Sequence, residues 1–208
     1  MSDNTDFEER ITTKTEIYLI RHGETDWNRR RALQGRLNTP LNDTGIAQAR
    51  EAAAKLAAAG VQFDLVFSSP LQRALTTASI VSGIPISDII QDDRILEIAF
   101  GSWEGREMSS IGAALTPFFE APQNYVPPEG GESYDALLRR TREFLQMLQT
   151  QHVGKRILVA SHGAATAAML VYARKLSVED LWSRPVKNCA VFKLEVKNGM
   201  LVEAIAPF

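Results

Sequence analysis

The order of segments along the chain predicts a three-layer α/β domain built on a mostly parallel sheet. Three observations carry this expectation. Short apolar and β-branched runs alternate with longer stretches that have helical spacing or are rich in alanine. Glycine, proline and capping residues fall between them, and the last two extended runs meet at Asn198-Gly199, a tight-turn pair. At 208 residues the chain is long enough for one sizeable core and short for two. A single domain is therefore expected over residues 15–208, behind a flexible tail of residues 1–14.

TEIYLI, residues 15–20, reads as a buried strand because its apolar run is unbroken. The stretch PLNDTGIAQAREAAAKLAAAG reads as a helix, with Asp43 or Thr44 as its cap and Gly60 at its exit. Ile46, Ala49, Ala53 and Leu56 supply its apolar stripe. FDLVF, residues 63–67, is a second strand. A helix follows it, with Ser69 as cap, Pro70 at the first helical position and Gly83 as the stop. Residues 84–132 mix short apolar pieces with the breaker-rich APQNYVPPEGGE and read as a surface excursion. A helix returns over Ser133 to Thr150, with Leu137, Leu138, Thr141, Phe144, Leu145 and Leu148 near one side. RILVA, residues 156–160, is a third strand entering the helical SHGAATAAMLVYARKL, and CAVFKLEV and LVEAIAPF close the chain as extended segments.

The composition is 45% hydrophobic and 23% charged, with a formal net charge of −2. That balance argues against a general nucleic-acid binder, which needs a clustered basic surface. Cys189 is the one cysteine, so neither an intrachain disulfide nor a cysteine zinc cluster is available. The opening MSDNTDFEERITTKT lacks the basic head and apolar run of a signal peptide. No apolar stretch is long enough to span a membrane, and a cytoplasmic location is the default expectation.

The chemistry concentrates where strands end. Arg21 and His22 follow the first strand, Arg73 lies just inside the helix after the second, and His162 follows the third. Ligands of open α/β sheets gather beyond the carboxyl ends of parallel strands, so these side chains are expected to converge. Two guanidinium forks, two imidazoles and the start of the helix after His162 suit a phosphoryl group. An imidazole nitrogen can attack phosphorus to give a phosphohistidine that water then hydrolyses. The arginines are expected to lower the pKa of His22 and keep it neutral, and a carbonyl near Gly23 is needed to fix its tautomer. The leaving alcohol needs a proton, for which Glu97, Glu24 and Glu104 are the candidates. Glu97 is preferred because Leu96, Ile98 and Phe100 flank it with apolar surface, whereas Glu24 is expected to organise its loop. His152 is assigned no role, Arg140 and Arg142 read as surface helix residues, and Trp27 and Trp103 suit core packing as well as a substrate platform. Three histidines without HExxH or a cysteine pair make a poor zinc site.

The segments LIRHGETDWN, LQGRLNTPLNDTGIAQA, SSPLQRALTTA, LEIAFGSWEG and VASHG together resemble the histidine phosphatase, or phosphoglycerate-mutase-like, superfamily over residues 15–206. The resemblance implies an α/β/α sandwich with a cap from about residues 102–133, and no metal or organic cofactor. It also implies roles: His22 carries the phosphoryl group, Arg21, Arg73 and His162 complete its pocket, and Glu97 donates the proton. By the same resemblance, Asn28 touches the transferring group, and Gln34 and Gly35 lie near the substrate.

GSWEGREM resembles the phosphatase branch rather than the mutases, whose pattern places lysine and asparagine where Met108 and Glu107 stand. No lysine or arginine falls between Glu107 and Arg139, so the cap is expected to be a weak clamp for a second anionic group. The cap aromatics Trp103, Phe118, Phe119 and Tyr125 suit either a partly apolar alcohol or packing of the cap itself. The expected reaction is hydrolysis of a small phosphomonoester. A phosphoglycerate-type phosphomutase and a non-catalytic phospholigand-binding module are the alternatives. The expected partner is that small molecule, with neither nucleic acid nor membrane, and self-association is left undetermined.

Overall fold

Ile17 to Ile20 are shielded on both sides, and that is the burial of a central strand in a sheet with helices on each face. In the computed structural model, which describes residues 14–197 and 199–206, they form β1, Glu16–Arg21. The chain continues through α1 (Asp26–Arg29), α2 (Asp43–Ala58), β2 (Leu65–Ser68), α3 (Gln72–Ser82) and β3 (Ile90–Gln91). The excursion that follows holds α4 (Met108–Ile111) and α5 (Thr116–Glu120). Then come α6 (Tyr134–Gln151), β4 (Arg156–Ser161), α7 (Gly163–Arg174), β5 (Val191–Lys197) and β6 (Met200–Ala204).

The strands form one sheet in the order β3-β2-β4-β1-β5-β6. β4 pairs in parallel with β1 and β2, and β2 with β3, whereas β5 joins β1 antiparallel and β6 joins β5 antiparallel. Alternate residues along a strand face opposite sides. Ile17, Leu19, Ile157 and Val159 therefore enter one core with Leu137, Phe144 and Met169 of α6 and α7. Tyr18, Ile20, Leu158 and Ala160 enter the other, with Ala49 and Leu56 of α2 and Ala78 of α3. These are the three layers expected from the alternation of segments.

Several boundaries differ from the expectation. Asn42 caps α2 in place of Asp43 or Thr44, its side chain accepting the Gly45 N–H, because Asp43 is already helical. α3 starts two residues after Pro70, behind Leu71; Ser69 is drawn back into the sheet, where its N–H donates to Ala160 O at 3.0 Å. Phe63 lies outside β2 and packs edge-on against Tyr18 at 5.5 Å. β3 has two exposed residues, too few to show any alternation. Residues 1–13 of the expected tail and Asn198 of the expected turn lie outside the described residues, although Lys197 does pair with Met200.

The excursion folds around Phe118, which is 2% exposed. Phe100, Phe119, Tyr125, Tyr134 and Trp182 surround it with ring centroids 4.8 to 5.4 Å away. Tyr134 of α6 donates its hydroxyl to Phe118 O, and the Trp182 indole N–H donates to the same carbonyl at 2.7 Å. This cluster seats the cap over the carboxyl ends of the parallel strands.

Candidate active site

The register of two adjacent parallel strands sets the centre. Arg21 of β1 lies across from Ser161 of β4, and the His22 N–H donates to Ser161 O at 2.9 Å, carrying the pairing one residue further. The next side chains, His22 and His162, bring their ring centroids to 5.2 Å. β2 flanks β4 on its other side and places Ser69 beside His162. Arg73 arrives from the first turn of α3 and is fully buried.

His22 is held by its own backbone neighbour: Nδ1 lies 2.7 Å from Gly23 O. A carbonyl only accepts, so the ring proton sits on Nδ1 and the Nε2 lone pair is left free. Burial is the main cause that drives its pKa well below the usual imidazole value, and Arg21 and Arg73 add to it. The arginines were expected to act this way, but desolvation outweighs them. The Gly23 N–H donates to Thr77 Oγ1 at 3.1 Å, and the Gly45 backbone lies where a side chain on residue 23 would project. A glycine is the one residue that fits this crossing.

Arg73 is oriented by two carbonyls, donating to Gly35 O and Leu37 O at 2.7 Å each. Burial brings its guanidinium down to about 10, so it stays charged at neutral pH. Arg21 donates to Val186 O at 2.6 Å. The His162 Nε2 lies 2.7 Å from Ser69 Oγ, and burial holds this ring neutral too, followed by the fields of Arg73, His22 and Arg21. Among the described residues, Arg21 Nε, Arg73 Nε and His162 Nδ1 are buried with no hydrogen-bond partner. Buried donors left unpaired are rare, and the two guanidinium nitrogens belong to residues that line one cavity, which suits an oxyanion.

Of the three candidate acids, Glu97 alone lines the cavity. Its carboxylate accepts from the Ala164 and Ala165 N–H groups at the start of α7, at 3.1 and 3.3 Å, and from the Ile98 N–H at 3.0 Å. The apolar surroundings expected for it are therefore absent: Ile98 is turned into the core, and backbone donors meet the carboxylate instead. The same contacts occupy N–H groups that were expected to be free for a ligand. Glu104 accepts from Phe100 N and Arg36 N and so ties two loops together, and Glu24 accepts from Asn42 Nδ2.

Arg140 does not face water. It donates to Arg94 O and Leu96 O at 2.8 and 2.7 Å and to Glu97 O at 3.2 Å, and it forms an ion pair with Glu132. It thereby fixes the backbone on which Glu97 stands. Arg142 is exposed, over the Tyr172 ring.

The cavity, of about 150 Å³, is lined on its polar side by Arg21, His22, Asn28, Gln34, Arg73 and Glu97. Gly35 lies beside them, and Gln34 Oε1 accepts from the Thr25 and Thr39 hydroxyls. Its apolar side is Met108, Phe118, Phe119 and Trp182. Trp103 and Tyr125 pack into the core instead. Sequence reasoning missed Ser69, Arg140 and Trp182. Trp182 lies in a segment after α7 that carries no strand-end signal; the helical spacing of Arg140 was a usable sign.

A profile of the Histidine phosphatase superfamily (branch 1) matches residues 17–203. Phosphoserine phosphatase 1 of Hydrogenobacter thermophilus is 28% identical over 193 residues, 90% of each chain. Phosphoglycerate mutase-like protein 4 of Arabidopsis thaliana is 34% identical over 173 residues, 81% of this chain and 75% of its own. The solved structure of Bacillus stearothermophilus YhfR superposes with a TM-score of 0.84 at 32% identity, covering 93% of this chain and 96% of its own.

Proposed function

The chain belongs to the histidine phosphatase superfamily, branch 1, and from that premise we propose that it hydrolyses a small phosphorylated metabolite through a phosphohistidine on His22. General phosphomonoesterase activity of the histidine-phosphatase type follows from that family. The observation that carries the finer reading is the His22 ring, whose Nδ1–H is directed at Gly23 O while Nε2 is free, in a cavity also lined by Arg21 and Arg73 with their unpaired buried Nε donors.

In this reading His22 Nε2 attacks phosphorus as the ester P–O bond breaks. Glu97 gives a proton to the departing alkoxide. The carboxylate so formed then takes a proton from water as that water attacks the phosphohistidine, which returns neutral His22 and inorganic phosphate. Arg21, Arg73 and His162 Nδ1 offer donors to the equatorial oxygens, where charge gathers in the transition state. Asn28 stands at the rim of the same cavity, with its Oδ1 held by Thr25.

Release of phosphate from para-nitrophenyl phosphate tests the proposal. Replacing His22 with Ala is expected to lower kcat by at least about 10³-fold. In the first turnover, before the phosphohistidine is hydrolysed, Glu97→Gln is expected to slow the release of poor leaving groups far more than that of nitrophenolate, which departs without a proton. Hydrolysis that survives in His22→Ala contradicts the phosphohistidine. Phosphoglycerate interconversion that outruns phosphate release points to the mutase instead.

A further inference from the structure

The cavity around His22 opens into a wider groove of about 820 Å³, and the two share Arg21, Asn28, Ala32, Met108 and Phe119. A leaving group of more than a few atoms therefore extends past Met108 and Phe119 into this groove. The cap brings no cation to it, as the sequence led us to expect. The adjoining turn does: Arg30 and Arg31, which follow α1, both line the groove.

Arg31 has a φ of 55°, in the left-handed region that costs a non-glycine residue about 1 kcal/mol. Two hydrogen bonds of 3.0 Å hold it there, from its N–H to Asn28 O and from the Met108 N–H to its own carbonyl. Its exposed side chain has no ion-pair or hydrogen-bond partner among the described residues. Arg30 lies over the Trp27 ring at 5.8 Å, also without a carboxylate partner among them. Neighbouring Arg29, by contrast, pairs with Asp26 at 3.1 Å and does not line the groove. The turn thus spends backbone strain to hold a guanidinium at the rim, beside a second one braced on an indole.

We propose that Arg30 and Arg31 form a recognition site for a carboxylate at the far end of the leaving group. The preferred substrates are then phosphate esters of hydroxy acids whose two ends are separated by an apolar stretch lying along Met108 and Phe119. A planar guanidinium fork matches a carboxylate. Glu107 and Glu120 line the same groove and favour a monoanion there over a second phosphate dianion. The ester end of this inference rests on the phosphatase reading; the carboxylate end does not.

The test uses three probes of one shape: the phosphate ester of para-hydroxyphenylpropionate, its carboxamide and its terminal-amine counterpart. kcat/KM is measured with the parent, and Kd with His22→Ala, where binding is read without turnover. The carboxylate is expected to lead the carboxamide by about fivefold or more in both measurements. The double variant Arg30→Gln/Arg31→Gly is expected to bring that ratio to near one. Its glycine suits the positive φ, so its thermal midpoint is expected not to fall. Equal handling of carboxylate and carboxamide by the parent overturns the proposal, as does a preference that survives the double variant or a lead for the amine. Should none of the probes turn over while the arginine-dependent binding preference holds, the phosphatase reading falls and this site stands.

Discussion

Two imidazoles whose centroids are 5.2 Å apart, both buried beside guanidinium groups, are held neutral in the folded protein. Their ordinary pKa returns on unfolding, so below about 6.5 the unfolded chain binds protons that the native one refuses. Stability is therefore expected to fall as pH drops through that value, by up to about 1.4 kcal/mol per pH unit for each ring. Urea titrations at pH 7 and pH 5 check this, and His162→Gln should flatten the dependence. At the same scale, Ser69 decides which nitrogen of His162 carries the proton. Its hydroxyl needs an acceptor, and His162 Nε2 is 2.7 Å away. Donation there leaves the proton on Nδ1, the atom without a partner among the described residues. Ser69→Ala is expected to lower kcat about tenfold, less than the roughly 10²-fold for His162→Ala, and to add little in the double variant. Additive losses would show that the two residues act separately. Arg21, His22, Arg73 and His162 were legible in the sequence because strand ends point there. The role of Ser69 was not, since it depends on β2 lying next to β4.

Among the elements, α6 links stability to chemistry. Arg140 lies three residues after Leu137 and four before Phe144, so the helical period already placed it beside the buried stripe. Residue type argued for water and misled the sequence reading. Arg140→Met leaves Glu132 short of its main partner and frees the carbonyls of Arg94, Leu96 and Glu97. The expected cost is about 3 kcal/mol in urea unfolding, with a kcat/KM loss concentrated on poor leaving groups as Glu97 loses its footing. A uniform loss across leaving groups would separate Arg140 from Glu97. Phe118→Ala is expected to cost about 3–5 kcal/mol and to loosen the cap. The cap was the least legible element, because its short helices and turns are defined by aromatic packing between α5, α6 and the Trp182 segment, not by any local period.

For the molecule as a whole, topology does the assembling. Residues 22, 69 and 162 meet because β1, β4 and β2 are adjacent and parallel, so each chain leaves the sheet at the same edge. Alternating segments and glycine-marked exits disclosed the layers. They could not disclose strand order, and it is strand order that puts Ser69 against His162 and β1 beside β4. The central claim is that this edge makes His22 Nε2 the acceptor of the phosphoryl group. The most direct measurement is to react Glu97→Gln briefly with para-nitrophenyl phosphate, quench without acid, and locate the phosphate by mass spectrometry and phosphorus NMR. The account expects phosphate on His22, bonded through Nε2. Phosphate on His162, linkage through Nδ1, or full turnover by a His22→Ala protein would contradict it.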